Sequence, residues 1–390
     1  MTGSPPRDDP ESGKPLHVGQ LNLPAEDAFH KAFGELFDRR FFANHGPLEQ
    51  QLDRELALRF GTRHAVSVVN ATVALMLALR ALDLQGEVIV PAFTFPATVQ
   101  AVDWAGLKPV FCDVDPHSQT LTAQTVAPRI GPATAAILGV HVWGRACDPD
   151  GLAELSRRHG LKLLFDAAHA VGAGFRGRPI GGFGDAEVFS FHATKILNGV
   201  EGGCIATNDD DLAARLRRMR SFHEADDGVT RLYRLNAKMS EAQAAMALLG
   251  LRDLDGLIGQ NRRRYERYRQ ELDGIPGVRF VDYAGDEASN YQFIVLSVEP
   301  AASPLSRDML LDRLRSRQIL ARRYFHPGMH RTPPYCDDGI PDLPVTERLC
   351  SSLIQLPTGQ LVTDRDIETI CAVIREAAGM DGAAAPKGSA

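Results

Sequence analysis

Lys195 closes the run Phe189-Ser190-Phe191-His192-Ala193-Thr194-Lys195, and Asp166 opens the upstream stretch Asp166-Ala167-Ala168-His169-Ala170 directly after the apolar Leu163-Leu164-Phe165. A lysine amine can condense with an aldehyde. A carboxylate leaving an apolar strand is costly to desolvate unless it meets a cation. Together they meet two requirements of pyridoxal 5'-phosphate: an amine for its aldehyde, and an anion that keeps its pyridine nitrogen protonated so that the ring accepts electrons. Taken singly, each has a plainer reading, a solvated surface lysine or an aspartate capping a helix.

Three further requirements have counterparts in the sequence. A phosphate cradle is offered by Asn70-Ala71-Thr72 at a strand-to-helix turn, where free backbone N–H groups and a hydroxyl suit a dianion. Thr72 at that place also fits an ordinary N-cap. Ser190 adds a second hydroxyl. A group for the phenolic oxygen, or a ring to stack, is offered by His169. An aromatic for the pyridine face comes from Phe93 or Phe95 in Pro91-Ala92-Phe93-Thr94-Phe95-Pro96. Alternation points both phenylalanines the same way, so one of them belongs to the core. Glu201-Gly202-Gly203 supplies glycines for a tight turn behind the lysine.

These residues need a frame. Val66–Val69, Glu87–Val90, Pro109–Val114, Ala135–Val140 and Leu161–Phe165 are short apolar runs separated by helical stretches, such as the one carrying Leu75, Leu79 and Leu82. That alternation predicts an α/β fold with a mainly parallel sheet covered by helices on both faces. Ligands of such sheets sit at the carboxyl ends of the strands, where Asn70, Pro91, Asp113, His141 and Asp166 all fall. Beyond residue 250 the texture changes. The charged run Asn261–Arg269 predicts a solvated helix face. Gly277–Phe280 and Tyr291–Leu296 predict strands, and 307–317 and 364–378 predict helices of a smaller α+β domain. The expected organisation is a disordered tail over 1–15, a large domain over 16–255, a small one over 256–380 and a second tail over 381–390.

The bulk properties exclude several classes. A net charge of −6, from 43 basic and 49 acidic residues, argues against a dedicated nucleic-acid binder. No apolar run approaches the roughly 20 residues that cross a bilayer. The amino-terminal stretch lacks the apolar segment of a signal peptide. Six scattered cysteines without a CxxC pair fit reduced thiols of a cytoplasmic protein, and no metal-ligand spacing is present.

The chain resembles the sugar aminotransferases of the DegT/DnrJ/EryC1/StrS family, from about Gly46 to about residue 375. The likeness is carried by Pro91-Ala92-Phe93-Thr94-Phe95, Phe165–Ala170, Ser190–Lys195, Glu201-Gly202-Gly203 and Asn236-Ala237-Lys238-Met239-Ser240-Glu241. It implies a fold-type I architecture with a seven-stranded sheet in the large domain. Lys195 would be the Schiff-base lysine and proton carrier, and Asp166 the partner of the pyridine nitrogen. Thr72, Ala71 and Ser190 would hold the phosphate, and Phe95 would stack on the ring. Asn236 would reach the phosphate of a neighbouring subunit, which implies a homodimer with shared sites. The family's usual donor is L-glutamate, with pyridoxamine 5'-phosphate formed between the two half-reactions.

Position 169 departs from the family pattern, carrying His in place of the common Gln. Dehydratase-like relatives replace the Schiff-base lysine by His, and the intact Lys195 favours amino transfer over that alternative. The stretch Arg322-Arg323-Tyr324-Phe325-His326-Pro327-Gly328-Met329-His330 resembles the subgroup that aminates C4 of nucleotide-linked 4-keto-6-deoxyhexoses. Amination at C3, an isomerase and a non-catalytic regulator on the same scaffold are the other readings. Arg322, Arg323 and Lys238 are candidates for the substrate diphosphate, with Tyr324, His326 and His330 nearer the sugar.

Overall fold

The computed structural model describes residues 15–222, 234–283, 287–299, 305–336 and 341–380; the tails expected over 1–15 and 381–390 fall, apart from Pro15, outside these residues. The main sheet has seven strands in the spatial order His64–Val68, Gly203–Thr207, Ala186–Ser190, Lys162–Asp166, Thr134–Val140, Glu87–Pro91 and Lys108–Cys112. Neighbours run parallel except where Gly203–Thr207 pairs antiparallel with both of its partners.

Successive residues of the central strands enter opposite cores. Ile89, Ile137, Leu163 and Phe165 pack with the helices Pro47–Phe60, Pro149–His159 and Glu241–Arg252. Val88, Val90, Leu138 and Leu164 pack on the other side with Ala71–Ala81, Pro96–Trp104 and Asp210–Met219. A sheet buried on both faces has continuous apolar strands, which is why these runs stand out in the sequence. The strands Ala186–Ser190 and Gly203–Thr207 do not stand out. One contains Glu187, and both border glycine-containing turns.

The C-terminal part carries an antiparallel sheet of Val278–Phe280, Ile294–Val298 and Leu353–Leu356. It packs against the helices Leu254–Glu271, Arg307–Ser316 and Asp364–Ala377. In the first of these, Leu254, Leu257, Asn261, Tyr265 and Tyr268 are buried at helical spacing, while Arg262 and Arg267 pair outward with Glu266 and Glu368. The charged run is thus a solvated face. The expected division at 255/256 falls inside the first turn of this helix.

Two expectations are corrected. Tyr291–Phe293 precedes its strand and does not belong to it, because Asn290 and Gln292 spend their side-chain amides on distant backbone. Asn290 donates to the His169 and Val171 carbonyls, and Gln292 accepts from the Ile196 N–H. Of the strand-end polar residues, Asp113 and His141 serve the frame. His141 is wholly buried, stacks on Phe165, accepts from the Cys147 N–H and lies 3.4 Å from Glu187.

Asp113 accepts from the N–H groups of Val345 and Thr346 and from the Thr346 hydroxyl. It therefore caps the helix Pro344–Ser352, whose own N-cap Leu343 has no side-chain acceptor. Asp113→Ala should lower the unfolding free energy by about 1–3 kcal/mol in urea titration, and Asp113→Asn by less.

Candidate active site

The carboxyl ends of the strands open onto a cavity of about 490 Å³, lined among others by Asn70, Ala71, Thr72, Phe95, Asp166, His169, Ser190 and Lys195. Five short elements converge there. Asn70 follows the strand His64–Val68, Asp166 ends its own strand, and Ser190 ends the next, with Lys195 on the loop beyond. That loop is closed by backbone bonds from Phe191 to Gly202 and from Ala193 to Val200. Gly203 completes the edge. A Cβ there would lie 2.8 Å from the Ala71 nitrogen and 2.7 Å from the Phe189 carbonyl, so only glycine lets the strand approach the helix start this closely.

At that helix start the cap is Asn70, not Thr72. The Asn70 side chain accepts from the Val73 N–H at 2.9 Å. The N–H groups of Ala71 and Thr72 are left without a protein acceptor among the described residues and border the cavity. Ser190, 6% exposed, lies across from them on the neighbouring edge.

Asp166 caps no helix. One oxygen accepts the Ala168 N–H at 3.0 Å and the other the Thr98 hydroxyl at 2.7 Å. Burial pushes its carboxyl above the ordinary carboxylate range, against the pull of those hydrogen bonds and of the Lys195 charge. A cation arriving in the cavity would stabilise it. Burial likewise lowers the Lys195 amine to about 8, an effect that Asp166 opposes. The Lys195 Nζ lies 6.0 Å from the centre of the Phe293 ring.

His169 is held neutral by burial and by the nearby lysine charge. Its Nδ1 accepts from the Trp143 N–H at 3.3 Å, so the ring proton sits on Nε2 as a hydrogen-bond donor. Its ring lies nearly parallel to that of Trp143, centroids 6.1 Å apart. Of the two phenylalanines, Phe93 is core, edge-on to Trp143 and Phe325, whereas Phe95 lines the cavity and is 52% exposed. An apolar ring so placed has a face to offer to a flat ligand.

The expected substrate residues divide. Arg322 and Tyr324 line the cavity, with Arg322 donating to the Tyr324 hydroxyl at 3.1 Å. Arg323, His326 and His330 do not line it. Arg323 faces Asp308, His326 is exposed, and His330 is buried beside Gly328 and 3.5 Å from Glu347. Asn236 is exposed and outside the cavity of its own chain, bonded to Lys238 at 2.6 Å.

Sequence reasoning missed the amino-terminal strap. Leu16–His17 pairs in parallel with Ile319–Leu320, after which Val18 and Gly19 line the cavity and the Gln20 N–H bonds the Thr194 carbonyl. Beneath it the Asn22 amide donates to the Ile196 carbonyl, and the Asn198 amide donates to the Asn22 carbonyl. Only the paired amides Gln20 and Asn22 inside an apolar stretch could have signalled it.

The donors and charges fit pyridoxal 5'-phosphate. Two unpaired backbone N–H groups and two hydroxyls match a phosphate, a desolvated carboxylate matches a protonated pyridine nitrogen, and a neutral-leaning amine matches an aldehyde.

The sequence profile of the DegT/DnrJ/EryC1/StrS aminotransferase family matches residues 25–375. The chain is 34% identical over 364 residues to a dTDP-4-amino-4,6-dideoxy-D-glucose transaminase of Shigella dysenteriae, covering 93% of this chain and 99% of that protein. It is 34% identical over 347 residues to GDP-perosamine synthase of Caulobacter vibrioides, covering 87% and 92%. Among solved structures it superposes on DesI, determined in the presence of its TDP-sugar product, with a TM-score of 0.91, 41% identity and coverage of 95% and 94%. The chain belongs to the DegT/DnrJ/EryC1/StrS family: it is an aminotransferase of fold-type I that depends on pyridoxal 5'-phosphate.

The Lys195 environment is testable without cofactor. Only the neutral amine is acylated, so the rate of Lys195 modification in cofactor-free protein should rise with pH and reach half its maximum near pH about 8. Asp166→Asn removes the anion that favours the ammonium form and should move that midpoint lower, as read by peptide mass mapping.

Proposed function

We propose that this enzyme moves the amino group of L-glutamate to C4 of a nucleotide-linked 4-keto-6-deoxyhexose, with dTDP as the nucleotide, in deoxyaminosugar biosynthesis. The observation that supports this most is the near full-length likeness to a transaminase whose product carries its amine on C4 of a dideoxyhexose. An intact Lys195 at the cavity is consistent with it.

Bound pyridoxal 5'-phosphate supplies an electron sink and carries the amino group between the two substrates. The chain does the rest. Ala71 and Thr72 amides, with the Thr72 and Ser190 hydroxyls, bind the phosphate. The Asp166 carboxylate would pair with the pyridine nitrogen, Phe95 would cover one ring face, and His169 Nε2–H would donate to the phenolic oxygen. Lys195 Nζ takes the proton from the α-carbon of the donor and later delivers one to the sugar carbon. Burial, which lowers its pKa to about 8 in the cofactor-free chain, favours the neutral form that a base requires. Arg322 and Tyr324, at the cavity wall, meet the nucleotide sugar.

The working unit in this reading is a cytoplasmic homodimer, with residues 16–255 as cofactor-binding domain and 256–380 as the smaller domain. Asn236, steadied by Lys238, reaches the phosphate of the partner. Its exposure outside its own cavity supports that, as do the exposed Phe37, Phe41, Phe42, Phe222 and Leu235.

Incubation with L-glutamate and dTDP-4-keto-6-deoxyglucose should yield an aminated nucleotide sugar by mass spectrometry and one 2-oxoglutarate per amine. Failure to produce either, or an amine on C3, would overturn the assignment. Lys195→Ala should fold normally and lose turnover; a variant turning over at the wild-type rate would remove the lysine from the mechanism.

A further inference from the structure

The carboxylate at the centre of the site does not stand alone. Thr98, wholly buried, donates its single hydroxyl proton to Asp166 Oδ2 at 2.7 Å. Its oxygen lies 2.8 Å from the Thr94 hydroxyl, itself 1% exposed. A hydroxyl has one proton to give. With that of Thr98 committed to an ionised Asp166, the Thr94 proton must point at Thr98. The two hydroxyls then form a chain of donation that runs from the cavity wall, which Thr94 lines, to the carboxylate. Each donation polarises the next, and the last is charge-assisted.

The chain is built into one turn of backbone. Phe95 is the N-cap of the helix Pro96–Trp104, and Thr98 is its third residue, bonded through its N–H to the Phe95 carbonyl at 3.2 Å. The turn that presents the Phe95 ring to the cavity therefore also aims the Thr98 hydroxyl at Asp166. The other carboxylate oxygen, Oδ1, accepts from the Ala168 N–H. Remove Thr98 and Asp166 Oδ2 loses the one protein donor it has among the described residues.

Resting on the reading that Asp166 faces the pyridine nitrogen, we propose that Thr98, supported by Thr94, is a positioning residue that keeps Asp166 ionised and so sets how strongly the enzyme holds a protonated cofactor ring. It touches neither substrate nor cofactor and acts through Asp166.

The test uses full-length Thr98→Val, Thr98→Ser, Thr94→Val and Asp166→Asn. For each, cofactor affinity is measured by adding pyridoxal 5'-phosphate to the apoenzyme, and the visible absorbance of the loaded enzyme is followed against pH. Thr98→Val should weaken cofactor binding about tenfold, the loss of one hydrogen bond to a charged group. Its spectral transition should move to lower pH, because a less fully ionised Asp166 stabilises cations on the cofactor less well. Thr98→Ser, which keeps the hydroxyl and loses a methyl, should restore both readouts, and Thr94→Val should shift both in the same direction by less. A Thr98→Val enzyme with wild-type affinity and spectral pH would overturn the proposal, as would a Thr98→Ser enzyme as impaired as Thr98→Val, which would mark a packing role. Should Thr98→Val not fold, the Thr94→Val and Thr98→Ser pair decides in the same way. Asp166→Asn separates the two levels. Wild-type cofactor affinity in that variant removes the role of Asp166 itself, whereas lost affinity there beside an unaltered Thr98→Val removes only the hydroxyl chain.

Discussion

A carboxylate 6% exposed at the end of a central strand is the constraint around which this molecule is arranged. Burying an ionised group without partners is prohibitive, and a protein answers by protonating it, pairing it or surrounding it with donors. Here the donors come from Ala168 and Thr98, and the cation that acts on it most is Lys195, itself displaced toward neutrality by burial. Aspartate and lysine are thus in tension: each would be better ionised with a closer partner. A protonated ring bound beside them would ease both, supplying a cation to Asp166 and engaging the Lys195 amine, which burial shifts toward the neutral form.

The sheet makes that tension possible by collecting strand ends on one edge. Asp166, Ser190 and the Asn70 turn come from three of four consecutive strands of the sheet, and the fourth, antiparallel, brings its first residue Gly203 to the same edge. Glycine at 203 allows the helix Ala71–Ala81 to begin against the sheet, and Asn70 satisfies the third N–H of that helix while leaving the first two for a ligand. The cradle is therefore a product of a cap and a missing side chain.

Much of this was legible in the sequence because it depends on local chemistry. The parallel strands announce themselves through apolar runs that feed two cores at once, and Lys195, Asp166, Ser190 and Thr72 sit where strand ends must place them. What was not legible depends on contacts between distant segments. Asp113 and His141 occupy strand ends as Asp166 does, yet one caps a helix of the C-terminal part and the other is sealed between Phe165 and Glu187. Arg322 and Arg323 are adjacent and chemically alike, and only the pairing of Arg322 with Gln355 turns the first toward the cavity wall and the second toward Asp308. The Tyr291–Phe293 stretch alternates like a strand, but the buried Gln292 amide ties it to the lysine loop and the preceding Asn290 amide to the His169 turn.

The amino-terminal strap has a consequence for how the protein comes into being. Gln20 donates to the Gln292 carbonyl across 272 residues of chain, and Leu16 pairs with Ile319. Contacts of such separation form late, since their closure entropy must be met after local structure is in place. During synthesis the segment at residues 16–20 cannot be fully held until Gln292 and Ile319 have been made. The lysine loop is therefore not securely covered on the nascent chain until residues 292 and 319 are in place to hold the strap.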